Sequence, residues 1–318
     1  MISPRQRKTY SSNALMYNFG RHIAVSGLLP LQLKSGAVLR VNEGRSSIFA
    51  NSEKGFYREL CQDRAVVYRS KQLTAIGIFD GLGPMGADYS GVMARGVLEI
   101  CAEMEKKIVK EMNSREVIST VAAGVRSALG KESQSGTMAS IVLIDNRLRY
   151  SAASVGDSAV FLGNGTGVER LFAPTCIYIR KVAVRIENAK IHFQMYSEFR
   201  NQPGEAITAN ADDMGRIEMR NGRLKRGQSI IMVTDGISNN LRLGIDEKGI
   251  VTDGTGCKDL AEIIAGRDSA DSIGSRIAET ITGRLRQLVR NGPAASLVNE
   301  NEVLCRQDDD RTVLVYSS

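Results

Sequence analysis

The sequence predicts an α+β fold, a four-layer α/β/β/α sandwich in which two central antiparallel sheets are flanked by helices. Apolar runs of strand length follow one another through short turns, which pairs neighbours antiparallel and leaves no room for crossover helices. Helical periodicity is confined to a block in mid-chain and another near the end, so the helices form layers outside the sheets. With 318 residues, 42% of them hydrophobic and none of them Trp, the core must rest on Val, Ile, Leu, Met and Ala.

Residues 1–44 read as an N-terminal extension without an assigned role, with strand composition at 22–25 and 37–41 and a turn at 34–36. From residue 45 to 318 the pattern is that of one domain. Strands are expected at 48–50, 64–68 and 73–79, with a turn at 52–55 and a tight turn at Asp80 and Gly81 closing the third strand. Met93, Val97, Ile100, Met104 and Ile108 recur at spacings of three and four and mark the buried stripe of a helix. Ser114 is the expected cap of a second helix, with Glu116 in its first turn and Gly130 at its end.

Three strands follow at 136–144, 147–155 and 158–163, joined by hairpin-like connections at Asp145 with Asn146 and at Gly156 with Asp157. Residues 174–226 alternate weakly and carry many basic side chains. A buried strand at 229–234 stops at Asp235 and Gly236. Ile273, Ile277, Ile281, Leu285 and Leu288 then line one face of a long helix, which Asn291, Gly292 and Pro293 end. The last strand, 312–316, is preceded by Asp308, Asp309 and Asp310.

Composition excludes several classes. The five cysteines (61, 101, 176, 257 and 305) are scattered without a C-x-x-C pair, which argues against a disulfide framework or structural zinc and fits a reducing cytoplasm. No apolar run reaches the length of a membrane span, and the basic start at Met1 is not followed by the apolar stretch of a secretory signal. The net charge of +7 is diffuse and lacks aromatic stacking platforms. That argues against nucleic acid as a partner and suits an anionic phosphoprotein equally well.

Four aspartates, Asp80, Asp157, Asp235 and Asp309, stand at or beside strand ends, and Asp63 immediately precedes another strand. Each alone is explained as a turn residue. As a set they would repel one another if brought to one edge of a sandwich, and hard divalent cations favour such oxygen ligands. The run Asp308, Asp309, Asp310 before an apolar strand adds to that repulsion, which a shared ion would offset.

At these residues the chain resembles the metal-dependent protein phosphatases of type 2C, in a bacterial-like form. Arg58, Cys61, Gln62 and Asp63 are similar to the family's Arg-x-x-Asn-Gln/Glu-Asp element, and Phe79, Asp80, Gly81, Gly83 and Gly86 to its Asp-Gly turn. Ser135, Gly136 and Thr137, then Val155, Gly156, Asp157 and Ser158, resemble its next two elements. Thr234, Asp235 and Gly236 resemble its Ser/Thr-Asp-Gly, and Asp309, Asp310 and Thr312 its closing Asp-Asp/Asn-x-Thr. The elements keep the family's order over roughly residues 45–318.

The resemblance implies Mg²⁺ or Mn²⁺, two or three ions in number. Asp80, Asp235 and Asp309 would hold the first, and Asp63, Asp80 and the Gly81 carbonyl the second. Asp157 with Asp235 would contribute to a weaker third. Arg58 would grip the phosphate, and Arg58, Asp80 and Asp235 would be the residues central to catalysis. The implied reaction is hydrolysis of phosphoserine or phosphothreonine in a protein by a water bridging metals about 3.5–4 Å apart. His22 and His192 fall outside every motif and read as ordinary histidines.

Two positions depart from the family. Leu82 stands where some members carry a His proposed to protonate the leaving group, and Cys61 where many carry Asn. Residues 174–212 match nothing and lie where the family has a variable flap, which is where substrate choice is expected. Rival motifs are weaker. Gly81, Gly83 and Gly86 fit G-x-G-x-x-G, yet Asp80 would face the pyrophosphate. Cys305 and Arg311 fit Cys-x5-Arg, yet the aspartates between them would repel both thiolate and phosphate. The remaining alternative is a catalytically weak or inactive phosphatase fold serving as a regulatory or binding module.

Overall fold

A computed structural model describes all residues other than 1–22, 25–28, 34–36, 44–45, 57, 130–134, 165–166, 173–176, 188–189, 200–205, 209–216, 246–250, 254, 292–295, 300–301 and 305–307. The chain opens with strands β1 (Ile23–Ala24), β2 (Leu29–Leu33), β3 (Ala37–Glu43), β4 (Ser46–Glu53), β5 (Arg64–Arg69) and β6 (Leu73–Leu82). Helices α1 (Gly86–Glu111) and α2 (Ser114–Leu129) lead to β7 (Gly136–Asp145), β8 (Arg149–Val155), β9 (Ala159–Asn164) and β10 (Gly167–Arg170). The hairpin of β11 (Ile177–Glu187) and β12 (Lys190–Phe199) comes next, then β13 (Ile207–Thr208), β14 (Glu218–Arg223) and β15 (Ser229–Val233). After them lie α3 (Asp235–Ser238), β16 (Arg242–Ile245), β17 (Val251–Asp253), α4 (Cys257–Ile264) and α5 (Ala270–Asn291). The chain closes with β18 (Ser296–Asn299), β19 (Glu302–Leu304) and β20 (Arg311–Ser317).

Two large sheets carry the molecule. One has the order β1-β3-β4-β20-β15-β9-β10, the other β14-β8-β7-β6-β5-β2 with β13 on β7. Apart from the parallel pair β1 and β3, their ladders are antiparallel. Both faces of the central strands are buried, which is why they read as continuous apolar runs rather than as alternating ones. In β6, Ile76 and Ile78 face the other sheet while Ala75 and Phe79 meet α1 and α2. In β15, Ile230 and Met232 face between the sheets and Ile231 and Val233 meet α4 and α5. The four layers follow from this parity, and the expected α+β sandwich is the observed one. A smaller sheet, β17-β16-β19-β18, is added to it. Among the described residues no helix is long and apolar enough to cross a membrane.

Several local readings change. β6 continues through Asp80 and Gly81 to Leu82, pairing Asp80 with Met138, and the turn comes only at Gly83, whose φ is 77°. Likewise β4 runs on to Glu53 through the expected turn. Gly156 and Asp157 do not close a hairpin: β8 and β9 belong to different sheets, and the chain crosses between them with Gly156 at φ 99°. The second helix is capped by Asn113, whose Oδ1 accepts the Glu116 N–H at 3.1 Å. Ser114 is fully buried and bonds Ser151 at 2.9 Å instead.

The stripe of α1 buries Met93, Val97 and Ile108, while Ile100 and Met104 are only partly covered, and the backbone leaves helical geometry at Met104. β2 and β3, which precede residue 45, pair with β5 and β4, so both sheets draw on chain ahead of the boundary read there. The expected turn at 34–36, the helix end at Gly130, the stop at 292–293 and Cys305 lie outside the described residues, as does His22.

Candidate active site

The two sheets bring five chain segments to one edge of the sandwich: residues 54–63 ahead of β5, the end of β6, the β8–β9 crossing, the start of α3 and residues 308–310 ahead of β20. Antiparallel pairing fixes this. Val313 lies opposite Val233, and Arg311 opposite Glu53, so the end of β15, the end of β4 and the start of β20 are adjacent. Two glycines allow the close approach. A Cβ on Gly236 would lie 1.9 Å from the Asp310 carbonyl oxygen, and one on Gly81 would lie 2.5 Å from the Gly86 backbone. Gly81 and Gly86 therefore serve to pack a strand end against a helix start, in a sheet whose neighbours are antiparallel, which removes the dinucleotide reading.

Asp63 is buried, and its Oδ2 accepts the Thr234 hydroxyl at 2.8 Å. Thr234 Oγ1 in turn accepts the Thr312 N–H at 2.9 Å, and the Thr312 and Ser52 hydroxyls are 2.9 Å apart. The other oxygen, Asp63 Oδ1, is buried without a hydrogen-bond partner. Burial lifts the Asp63 carboxyl to about 7, with Asp310 and Asp309 adding to the shift and the hydroxyls of Thr234 and Thr312 opposing it. The Asp80 and Asp235 carboxyls are both pushed well above the usual range. Burial is the largest cause for each, followed for Asp80 by the charges of Asp63, Asp235, Asp157 and Asp309. For Asp235 the charges are those of Asp157, Asp309 and Asp63.

Asn239 donates to Asp235 Oδ2 at 3.4 Å. The Thr137 hydroxyl donates to the Asp80 carbonyl at 2.9 Å. Asp157 makes itself felt through its field on Asp80 and Asp235, and it also interacts with Arg170, whose guanidinium lies 5.7 Å from the Phe161 ring centroid.

Arg58 reaches the same edge. Its guanidinium donates to Asp309 Oδ1 at 2.5 Å while 47% of the side chain stays exposed. Arg58 is thus a charge at the mouth of an acidic recess, engaged by one of the carboxylates expected to ligate metal.

The three consecutive aspartates have three separate sets of partners. Asp309 meets Arg58. Asp310 is buried and accepts the Gly55 N–H at 3.0 Å and the Gln62 N–H at 2.7 Å. Asp308 accepts the Phe56 N–H at 2.9 Å and lies 3.6 Å from Arg311. Asp310 was missed as a site residue, yet it pins both ends of the segment that carries Arg58 and Asp63. Thr234, Thr312 and Ser52 were also missed. Their signal was the hydroxyl of Thr234, next to Asp235, and that of Thr312, two residues after Asp310.

Cys61 is buried, with Ser52 Oγ 3.8 Å and the Asp63 carbonyl 3.9 Å from its sulfur. Burial, then Asp63 and Asp310, push its thiol up to about 12, so it is no thiolate at neutral pH. Leu82 is exposed at the end of β6.

The donor set fits hard divalent cations: all oxygen, buried at Asp63 and half-buried at the other four aspartates, mutually repelling, with one Asp63 oxygen unpaired. Among the described residues, however, no three His, Cys, Asp or Glu side chains are gathered as a ready cation cage.

No family model matches the sequence, and no curated protein matches it. Solved structures do share its fold. A serine/threonine phosphatase of S. agalactiae is 14% identical, with a TM-score of 0.56 over 86% of this chain and 100% of that one. RsbX in complex with magnesium is 12% identical, with a TM-score of 0.53 over 88% and 98%. The catalytic domain of the serine/threonine phosphatase PstP with two manganese ions is 15% identical, with a TM-score of 0.53 over 86% and 97%. The chain has the fold of bacterial type 2C serine/threonine phosphatases.

Proposed function

We propose that the chain is a metal-dependent phosphoprotein phosphatase acting on phosphoserine and phosphothreonine, with Mg²⁺ or Mn²⁺ as its cofactor. The observation that carries this reading is the gathering of Asp63, Asp80, Asp157, Asp235 and Asp309 from separate segments beside Arg58. Asp80, Asp235 and Asp309 would hold one ion, Asp63, Asp80 and the Gly81 carbonyl a second, and Asp157 with Asp235 a third. Ions held there supply an activated water and stabilise charge developing in displacement at phosphorus.

The chain's own residues set the stage for that reaction. Arg58 offers a planar guanidinium to the phosphate oxygens, in competition with Asp309. Thr234 holds one oxygen of Asp63 and leaves the other without a partner. Asp310 fixes the backbone of Gly55 and Gln62 and so positions Arg58 and Asp63. Cys61, buried and with its thiol raised to about 12, is unsuited to act as a nucleophile, in keeping with attack by solvent. The free cysteines Cys61, Cys101 and Cys257 suit a cytoplasmic enzyme.

The test is hydrolysis of phosphopeptides with Mn²⁺ and with chelator. Activity should need the ion, and Asp80→Asn and Asp235→Asn should each lose at least about two orders of magnitude in rate. Undiminished turnover in excess chelator would sink the scheme. A second reading, a regulatory module of the same fold, is favoured by the absence of a ready cage among the described residues. It predicts phosphopeptide binding without turnover in the same assay.

A further inference from the structure

Among the described residues, the large hydrophobic side chains left exposed are Phe56, Leu60, Leu82 and Met85, at 42%, 61%, 44% and 38%. They are not scattered. Phe56 and Leu60 flank Arg58 on the segment ahead of β5, and Leu82 and Met85 lie just after Asp80 at the end of β6 and in the turn that follows. The two segments are tied together: Gln62 Nε2 donates to the Gly83 carbonyl at 2.9 Å, and Ser90 donates to the Gln62 carbonyl at 2.5 Å. Each is also anchored from behind. Asp308 and Asp310 hold Phe56, Gly55 and Gln62 by their backbone N–H groups, and Ser135 accepts the Met85 N–H at 2.9 Å.

Phe56 is exposed yet held, since the Arg311 guanidinium carbon sits 5.0 Å from its ring centroid. Single exposed apolar side chains need no explanation, but a set confined to the rim of one charged recess marks a binding surface.

We infer that this apolar rim is a docking surface for the residues flanking the phosphorylated side chain, so that the preferred substrates are phosphopeptides with large apolar neighbours. The inference rests on the phosphatase reading and specifies its substrate class. The occupant follows from the chemistry of the place. Arg58 lies between Phe56 and Leu60 and supplies a partly exposed positive charge for the phosphate. Apolar side chains one or two residues away along an extended peptide would then cover the rim. Acidic neighbours would instead meet the field of the aspartate recess, and small polar ones would leave the rim wet.

The experiment compares two phosphothreonine peptides of equal length, one with Leu and Phe flanking the phosphoresidue and one with Ser and Gly. The full chain and the double variant Leu60→Gln, Met85→Gln are assayed with Mn²⁺. The apolar peptide should have a kcat/KM about tenfold higher, in the range expected of an apolar pocket. The double variant should lose that preference while hydrolysing a small aryl phosphate, which is too short to reach the rim, at an unchanged rate. Binding of the matching non-hydrolysable phosphonate peptides, followed by fluorescence anisotropy, should show the same preference and the same loss.

Equal kcat/KM and equal binding for the two peptides would overturn the inference, as would a preference that survives the double substitution. A chain that turns over no phosphate yet prefers the apolar phosphonate would refute the phosphatase reading and leave the docking surface standing. A dimer of the free chain that the double substitution dissolves would assign the rim to a second copy and overturn the inference.

Discussion

At the scale of the residue, neighbouring aspartates in the last loop divide one task between charge and geometry. Asp309 faces the guanidinium of Arg58, while Asp310 turns back to accept two backbone N–H groups of the segment that carries it. Asp310→Ala should therefore cost about 3 kcal/mol of stability in urea unfolding, because the Gly55 and Gln62 N–H groups both lose their side-chain acceptor. A loss below about 1 kcal/mol would show that water satisfies those donors equally well. Arg58→Ala should behave differently, leaving stability nearly unchanged and raising KM more than it lowers kcat, since a phosphate grip exists in ground and transition states alike. An unaltered KM would remove Arg58 from the site. Asp63, Asp80, Asp157, Asp235 and Asp309 stood out in the sequence because each reads as the end of a strand or the start of a loop, although β6 in fact runs two residues past Asp80. Asp310 did not, because adjacent carboxylates look alike until the backbone shows which way each one points.

At the scale of the element, close contact decides where glycine is needed. Gly274 in α5 faces Phe49 of β4, and a Cβ there would lie 2.0 Å from the ring. Gly283, in the same helix, has nothing within 4 Å of the corresponding position. Gly283→Ala should stabilise the protein by about 0.5–1 kcal/mol through helix propensity. Gly274→Ala should instead destabilise it by about 1–3 kcal/mol, as the ring and helix are forced apart. Thermal unfolding of the two variants checks the contrast, and stabilisation by both would mean that α5 can move off the sheet freely. The helix itself was legible from Ile273, Ile277, Ile281 and Leu285, all buried on one face. The crossing at Gly156 was not, because a glycine and an aspartate between two strands read alike whether the second strand pairs with the first or leaves for the other sheet. The cap at Asn113 was missed for a related reason: Ser114 is as good a capping type, and only its burial against Ser151 excludes it.

At the scale of the molecule, the recess straddles the sandwich. Asp63 and Asp80 belong to segments of one sheet, Asp235 and Asp309 to segments of the other, so divalent ions bound there would cross-link the two. Fold and site are therefore linked through protons. Burial raises the Asp63 carboxyl to about 7, above the value of about 3.9 expected in the unfolded chain. Without cations, its contribution to stability is full below about pH 4 and is lost as the pH rises through about 7, because the folded state binds that proton more tightly. Asp80 and Asp235 shift in the same direction. Cations reverse the trend, since ligation requires the carboxylates without their protons. In chelator, the Tm should fall between pH 5 and pH 8, and less steeply in Asp63→Asn. Saturating Mn²⁺ should raise the Tm at pH 8, with about 2.7 kcal/mol gained at a hundredfold excess over Kd, and should raise it much less at pH 5. Differential scanning fluorimetry of the full chain reads all of these without any substrate. An Mn²⁺ shift of equal size at both pH values would mean that the ions bind away from these aspartates, and the placement of the metal site would be wrong.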